Sequence, residues 1–226
     1  MKKTPAAIDE LLRIMARLRA PDGCPWDREQ NHRTLRLHAI EEVYELIDAI
    51  EAGDDHEMTE ELGDLLLQVV FHCQLAKERG AFDFERVCQR LVDKLIHRHP
   101  HVFGATTLRT AAAVLAQWDH LKRAEKKGTR HERPSALDGI PKHLPALLRA
   151  EKLVKKAGKA GLLKPALPQR KPTRAAMARK LFALAHAAQL RGWSAEEILG
   201  DEISSREKRF RRQERARLDR ENSGAG

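Results

Sequence analysis

The chain has 226 residues, of which 42% are hydrophobic and 33% are charged, and its formal net charge is +9. This length can hold one large domain or two small ones. No apolar run approaches the ~18 residues that a membrane span needs, and no signal-peptide pattern is found, so we expect a soluble, cytoplasmic protein with no membrane partner. The three cysteines have no zinc-binding spacing and fit a reducing compartment.

The charge is distributed unevenly along the chain. Residues 1–104 carry 14 Lys+Arg and 20 Asp+Glu, whereas residues 105–226 carry 28 and 13. A basic half attracts polyanions, either nucleic acid or the phosphates of a small ligand, although a solvated basic helix would look the same. Phe210 is the one aromatic residue of the basic tail 206–220, which argues against base stacking. Nucleic-acid binding is therefore expected to be weak at most.

Apolar residues recur with helical spacing along most of the chain. The predicted helices span 6–19, 32–52, 56–79, 84–99, 110–127, 174–191 and 194–220, with a further candidate at 144–153. No segment has a convincing strand pattern, so the predicted fold class is all-α. Glycines and prolines interrupt residues 158–173, which is the best domain boundary. We predict a first domain at 1–130, a linker with one helix at 131–173, and a second helical region with a basic tail at 174–226.

Two pairs of acidic residues mirror each other across a predicted turn. Glu42 and Glu45 precede it, and Glu61 and Asp64 follow it. Each pair has i, i+3 spacing, which places both side chains on one side of a helix. Residue 53, a glycine, is the midpoint of the outer pair and also of the inner pair. An antiparallel helical hairpin folded at Gly53 therefore brings all four carboxylates together.

Four clustered carboxylates repel one another unless a cation neutralises them. Hard oxygen ligands on helices suit Mg²⁺, with Mn²⁺ as a substitute. Acidic pairs are also common on solvated helix faces, and that explanation stays open. The neighbours favour the metal, because Glu42 adjoins an apolar stripe that begins at Val43 and Asp64 is followed by three leucines. Unpaired carboxylates at the edge of an apolar interface are costly.

Two further pairs of residues suggest a phosphate ligand. Lys94 and Arg98 stand four residues apart on the fourth predicted helix, and Trp118 and Lys122 stand four apart on the fifth. Lysine and arginine bind phosphates, and a tryptophan beside a lysine offers a stacking plane. Basic residues late in a helix also serve its dipole, and Trp118 can equally be a core residue.

A faint internal repeat aligns residues 66–75 with residues 181–190 at an offset of 115. At that offset Ala176 stands where Glu61 stands, and Arg179 stands where Asp64 stands. Any two amphipathic helices can align this well, so chance is an alternative. If the repeat is real, its second copy has lost these two metal ligands.

Together these motifs resemble MazG, of the all-α nucleoside triphosphate pyrophosphohydrolases. The signature is Glu-Glu-x-x-Glu, a gap, then Glu-x-x-Asp. The matching stretches are 23–27, 41–45, 61–65, 93–104, Trp118 with Lys122, and 136–142. The resemblance is strong over about residues 8–163 and weaker over 174–215, which resembles the second domain of two-domain members.

The resemblance implies helical hairpins that form a four-helix-bundle-like MazG domain, followed by a shorter helical C-terminal region. It implies Mg²⁺-dependent hydrolysis of nucleoside triphosphates, ribo- or deoxyribo-, to monophosphate and pyrophosphate, as broad house-cleaning or regulation of nucleotide pools. By motif match the metal ligands are Glu42, Glu45, Glu61 and Asp64, and the substrate-binding residues are Lys94, Arg98, Trp118 and Lys122. Glu41 is the candidate general base, although a supporting or salt-bridge role fits as well.

Two departures from the family pattern stand out. Active domains of the second type carry a lysine four residues before the first ligand, where this chain has His38. In two-domain members the better-characterised activity belongs to the C-terminal copy, which here lacks its carboxylates. Either the N-terminal site carries the activity, or the protein is much weaker than its relatives.

The family also implies a homodimer or tetramer with active sites near a subunit interface. One alternative function is a narrow pyrophosphohydrolase of the dimeric dUTPase or phosphoribosyl-ATP pyrophosphatase type. Another is a regulator that binds nucleotides or nucleic acid and retains residual catalysis.

Overall fold

A computed structural model describes residues 6–163 and 172–223, and these confirm the all-α fold class. They form ten helices and contain no strand. The helices are α1 (Ala7–Leu18), α2 (Pro25–Glu29), α3 (Arg36–Ala52), α4 (Asp55–Glu78), α5 (Phe84–Arg98), α6 (Pro100–Phe103), α7 (Ala111–Ala124), α8 (Ala146–Lys159), α9 (Arg174–Gln189) and α10 (Ala195–Ser223). Over the same residues, no helix combines the length and the apolarity that a membrane crossing requires.

The chain divides into two compact units, residues 1–114 and 115–226. The first unit carries 15 Lys+Arg against 20 Asp+Glu, and the second carries 27 against 13. The three-part division proposed from the sequence stays a prediction. Residues 164–171 of its predicted linker lie outside the described residues.

The first unit is built around α4, which packs against α1, α3 and α5. Its core consists of five buried side chains: Met15, Leu35, Val70, Phe71 and Leu75. Three of the five lie on the second half of α4, so this helix is the central element of the unit. Removing such side chains from water is the main favourable term in folding.

Arg19 connects α1 to α4 and to the segment around α2. Its Nε and Nη2 atoms donate to the two carboxylate oxygens of Glu78 at 2.7 and 2.8 Å. Its Nη1 atom donates to the carbonyl oxygens of Asp27 and Gln30, and its guanidinium lies over the ring of Phe71. The Arg19 side chain is only 8% exposed. A planar guanidinium with five donors suits such a multiple contact.

The hairpin between α3 and α4 turns at the residue that the sequence indicates. Gly53 has φ +69°, in the left-handed region that glycine adopts without strain. Asp54 caps α4, because its side chain accepts hydrogen bonds from the backbone N–H groups of His56 and Glu57 at 2.9 and 3.2 Å. These two residues set where α3 ends and α4 begins.

Some helix boundaries differ from the prediction, and others agree with it. Pro25 starts the short helix α2 between the predicted helices 6–19 and 32–52, where no helix was predicted. Helix α3 begins at residue 36 rather than 32, because Asn31 and Thr34 form a hydrogen-bonded turn just before it. Pro100 ends the fourth predicted helix as expected, and it also begins α6.

The apolar stripe predicted for α3 is largely open to solvent in the single chain. Val43 is 41% exposed, Ile47 44% and Ile50 54%. On α4, Leu62 is 50% exposed. Large apolar residues grouped in this way are more than scattered surface residues, and they commonly mark a contact surface.

In the second unit, α10 packs against α8 and α9. Its core holds Leu137, Ala146, Leu153, Ala157, Ile203 and Phe210. The segment before α8 is held by polar contacts: Lys156 Nζ donates to the carbonyl oxygen of Asp138 at 2.6 Å, and Arg211 Nη1 donates to the Asp138 carboxylate at 2.7 Å. The second unit therefore has a core of its own.

Candidate metal centre

Three acidic side chains from the α3–α4 hairpin converge. Glu42 and Glu45 lie on α3, Glu61 lies on α4, and one carboxylate oxygen of each lies within 4.8 Å of the other two. Glu42 and Glu61 are partly buried, and Glu45 is exposed. The mirrored spacing about Gly53 predicted this convergence, because an antiparallel hairpin brings positions equidistant from the turn together.

Asp64 lies one turn further along α4 and does not belong to that group of three. Its charge nevertheless acts on Glu42 and Glu61, whose pKa values it helps to raise. The four carboxylates therefore form one electrostatic cluster, of which three are in mutual proximity.

The cluster changes the acidity of its members. Partial burial, followed by the charges of Asp64 and Glu45, raises the pKa of Glu42 above its ordinary value. Burial, followed by the charges of Glu45 and Asp64, also raises the pKa of Glu61. Both shifts have the sign expected of like charges held together without a counter-charge. A cation at this position would relieve the repulsion.

Gln68 is a further polar residue of the cluster that the sequence motif did not identify. This buried side chain lies on α4 and is 7% exposed. Its Nε2 atom donates to Glu42 Oε1 at 3.4 Å, a long bond that still lowers the pKa of Glu42 in part. Glu61, Asp64 and Gln68 recur at i, i+3 and i+7, the spacing of one helix face, and this was the available signal.

The donor set fits a hard divalent cation. Carboxylate oxygens from two helices are the ligands that Mg²⁺ and Mn²⁺ prefer. Oε2 of Glu61 is buried and has no hydrogen-bond partner within the described part of the chain. A buried acceptor without a donor is costly, and coordination of a cation would satisfy it.

Glu41 immediately precedes Glu42 in the chain and contacts different neighbours. It is exposed, and its Oε2 atom lies 3.7 Å from Nδ1 of His38. The ring of His38 in turn packs edge-on against Trp26, with ring centroids 6.0 Å apart. A histidine at this position is cationic only when it is protonated.

Lys94 and Arg98 lie on the last two turns of α5. Lys94 is exposed and Arg98 is partly buried. Helix α5 packs against α4, which carries two of the cluster's carboxylates. Both predicted phosphate-binding residues thus belong to the same unit as the carboxylates.

Trp118 and Lys122 lie on α7 within the second unit. The Lys122 ammonium lies 3.9 Å from the centre of the Trp118 ring, a cation–π contact. The predicted pairing of these two residues is therefore present. That they act on one substrate with Lys94 and Arg98 stays a prediction.

Two other places bear on the metal hypothesis. His56, Glu57 and Glu60 form a second group of close ligand atoms on the first turns of α4, and all three are exposed. On α9, Ala176 and Arg179 stand where the repeat would place metal ligands, and Arg179 is exposed. A cation side chain at that position opposes metal binding.

The fold and the site define an all-helical protein whose central hairpin presents carboxylates suited to a divalent cation. Residues 30–103 match the family model described as the MazG nucleotide pyrophosphohydrolase domain. This part of the chain is therefore similar to the MazG domain.

Curated relatives agree with this similarity. The chain is 48% identical over 155 residues to the nucleoside triphosphate pyrophosphohydrolase of Escherichia coli (strain K12), covering 68% of this chain and 58% of the relative. It is 46% identical over 161 residues to the nucleoside triphosphate pyrophosphohydrolase/pyrophosphatase MazG of Thermotoga maritima, covering 71% and 60%. An uncharacterized 26.1 kDa protein of Streptomyces cacaoi is 46% identical over 159 residues, with coverage of 70% and 63%. The chain thus spans about three fifths of these relatives' length.

Among solved structures, a mazG-related protein from Thermotoga maritima aligns with a TM-score of 0.43 and 26% sequence identity. The alignment covers 50% of this chain and 97% of that one.

Proposed function

We propose that this protein hydrolyses nucleoside triphosphates to nucleoside monophosphate and pyrophosphate with the help of a divalent cation. The observation that carries the proposal is the approach of Glu42, Glu45 and Glu61 to within 4.8 Å. The match of residues 30–103 to the MazG nucleotide pyrophosphohydrolase domain supports the choice of substrate and of the bond that is cleaved. The relatives that carry this activity in their names extend beyond the matched region, so the activity is proposed for this chain on its own residues.

The cation would be held by Glu42, Glu45, Glu61 and Asp64, and Mg²⁺ is the expected ion, with Mn²⁺ as a substitute. When bound, it neutralises charge on the triphosphate and lowers the pKa of water. The unpartnered Oε2 of Glu61 and the raised pKa values of Glu42 and Glu61 support these residues as ligands.

Side chains of the protein would carry out the proton transfer and the charge compensation of the reaction. Water attacks the α-phosphorus, the bond from that phosphorus to the α–β bridging oxygen breaks, and pyrophosphate leaves. We assign Glu41 to accept the proton of the water, because it adjoins the cluster and is exposed. Lys94 and Arg98 compensate the charge of the departing pyrophosphate.

Trp118 and Lys122 are proposed to bind the nucleotide. The Lys122 ammonium over the Trp118 ring places a cationic and an aromatic group side by side. Such a pair suits a ligand that combines a flat base with phosphates. A site that binds mainly the phosphates and makes few contacts specific to one base would accept many nucleotides.

The C-terminal region is proposed to contribute structure or assembly without a second active site. Ala176 and Arg179 supply no carboxylate at the positions of Glu61 and Asp64. The exposed apolar stripe of α3, which includes Val43 and Ile50, supports a homodimer or tetramer. Cytoplasmic location stays a prediction.

The direct test incubates the purified protein and Mg²⁺ with a panel of ribo- and deoxyribonucleoside triphosphates. Pyrophosphate and orthophosphate are measured in parallel, without an added pyrophosphatase. We expect release of pyrophosphate from several triphosphates. Release of orthophosphate alone would refute the assigned bond. Hydrolysis of the triphosphates of a single base, or of phosphoribosyl-ATP alone, would instead support a pyrophosphohydrolase of narrow specificity.

A further inference from the structure

On the long helix α10, acidic and basic residues lie on different sides of the helix. Ile203 and Phe210 are 3% exposed each and belong to the core of the second unit. Glu207 and Glu214 lie on the same side of the helix and are partly buried. The helical rotation of about 100° per residue keeps all four within one sector. The carboxylates of the middle of α10 are therefore turned inward.

Both inward carboxylates have partners within the unit. Glu207 accepts hydrogen bonds from Arg149 at 3.1 Å and from Arg211 at 2.8 Å. Glu214 accepts from the Ser135 hydroxyl at 2.5 Å and from the Ala136 backbone N–H at 2.7 Å. Their negative charge is engaged in holding the fold, and it does not screen the outer side of the helix.

The outer side of the same segment is cationic. Lys208, Arg212 and Arg215 are exposed and lie within about 60° of one another around the helix axis, with Arg209 beside them. From residue 203 to residue 218, the helix has no outward carboxylate. Among residues 6–163 and 172–223, none of these four cations makes an ion pair, whereas Arg206 and Arg217 on the same helix pair with Glu202 and Glu221.

We propose that this outer face of α10, formed by Lys208, Arg209, Arg212 and Arg215, binds the phosphate backbone of double-stranded nucleic acid. Three of these cations occupy about 10 Å along the helix, a length over which each strand of a duplex presents about three phosphates. The excess of 27 Lys+Arg over 13 Asp+Glu in the second unit adds long-range attraction.

The composition of the face selects this ligand over two other polyanions. Stacking on unpaired bases needs aromatic side chains, and Phe210, the aromatic residue of this segment, is buried in the core. Binding in a membrane interface needs an apolar side on the helix, and the apolar side of this segment is covered by the unit's own core. A duplex requires only regularly spaced cations.

This proposal is independent of the proposed hydrolysis, because it uses none of the residues assigned to that reaction. It is tested on the full-length protein with labelled duplex DNA and duplex RNA of mixed sequence, each about 20 base pairs long. Fluorescence anisotropy is measured between about 50 and 200 mM salt, the range in which phosphate contacts are lost. We expect the logarithm of the binding constant to fall linearly with the logarithm of the salt concentration, and we call the gradient of this line the salt slope.

The key variant is the triple substitution Lys208→Gln, Arg212→Gln and Arg215→Gln. We expect an affinity loss of at least about 10-fold at low salt and a salt slope shallower by about 2 to 3, because three phosphate contacts are removed. The matched control, Arg79→Gln, Arg86→Gln and Arg90→Gln, removes the same charge from exposed positions in the first unit. It should bind within about twofold of the wild type.

Several results would overturn the proposal. The first is that neither duplex binds at low salt. The second is that both triple variants lose the same affinity. The third is that the protein binds anionic phospholipid vesicles instead of the duplexes, and that this binding depends on the same three residues. If circular dichroism shows that the triple variant unfolds, the single variants Lys208→Gln and Arg212→Gln replace it, each expected to reduce the slope by about 1. An unchanged slope in both would refute the proposal.

Discussion

Gln68 donates a hydrogen bond from its buried amide to Glu42, across the hairpin that unites α3 with α4. The bond links a carboxylate of the candidate metal centre to the core-facing side of α4. Because the Gln68 side chain is buried, its hydrogen bond restrains the orientation of the Glu42 side chain. This arrangement matches the support that hydrogen-bonding neighbours give to metal ligands.

Replacing Gln68 should therefore weaken the metal site more than the fold. We expect Gln68→Leu to reduce the affinity for Mn²⁺, measured by electron paramagnetic resonance of the free ion, by about 10-fold. The melting temperature should change little, because Gln68 Oε1 is itself buried without a partner in the described chain. Gln74→Leu on the same helix, which contacts Glu78 instead, is the matched control. Equal affinities of the two variants would contradict the role.

The raised pKa values of Glu42 and Glu61 give the metal-free protein a specific pH dependence. A carboxyl whose pKa is raised by folding favours the folded state below its unfolded pKa. That contribution is lost as the pH rises through the folded value. In EDTA, the double variant Glu42→Gln and Glu61→Gln should therefore gain melting temperature over the wild type at about pH 7.5 and lose that gain near pH 4. Excess Mg²⁺ should stabilise the wild type alone. A difference that does not vary with pH would contradict the electrostatic account.

Arg19 should matter to the stability of the first unit. Arg19→Gln removes the paired bonds to Glu78, whose pKa is lowered chiefly by that hydrogen bond. We expect a loss of about 2 kcal/mol in the free energy of unfolding, as for bonds to charged groups. The control Arg13→Gln removes an exposed pair with Glu10 and should cost less than about 0.5 kcal/mol. Urea unfolding compares the two, and equal losses would show that Arg19 has no special role.

The stacked histidines His32 and His72 predict sensitivity to acid. Their Nδ1 atoms are 2.8 Å apart, so one ring donates a hydrogen bond to the other. Burial, followed by the charge of His32, lowers the pKa of His72. A lowered pKa means stability that is present above the unfolded value and lost as the pH falls through the folded one.

His72→Phe should keep the ring packing and lose this acid sensitivity. The drop in melting temperature between about pH 7.5 and pH 5 should be smaller than in the wild type, in the range where histidine titrates. His143→Gln, at an exposed position, should leave the drop unchanged. If His72→Phe melts with the wild-type pH profile, the pair does not titrate as described.

Spacing predicted the parts of the site that depend on local geometry. The convergence of Glu42, Glu45 and Glu61 follows from i, i+3 pairs placed symmetrically about Gly53, since a glycine in the left-handed conformation ends one helix and the chain returns antiparallel. The Lys122 contact with Trp118 likewise follows from i, i+4 spacing within one helix.

What the sequence did not reveal depends on contacts between distant segments. Arg19 and Glu78 are 59 residues apart, and His32 and His72 are 40 apart. No local periodicity encodes such pairs. Gln68 was overlooked because it is an amide outside the acidic motif, although it shares the helix face of Glu61 and Asp64. The start of α3 was misplaced since side-chain turns at Asn31 and Thr34 compete with helix formation.

The most direct test of the central claim compares two double variants on adjacent acidic groups. Glu42→Gln with Glu61→Gln removes two ligands of the candidate centre, and Glu57→Gln with Glu60→Gln removes the same charge from the exposed group at the start of α4. The measurement is the initial rate of Mg²⁺-dependent pyrophosphate release from a nucleoside triphosphate that the wild type hydrolyses. We predict that the first variant loses more than about 100-fold in rate, which exceeds the loss expected when a residue that only supports a metal ligand is replaced. The second variant should hydrolyse at a near wild-type rate. Retained activity in the first variant, or loss only in the second, would place the metal centre elsewhere and contradict the proposed site.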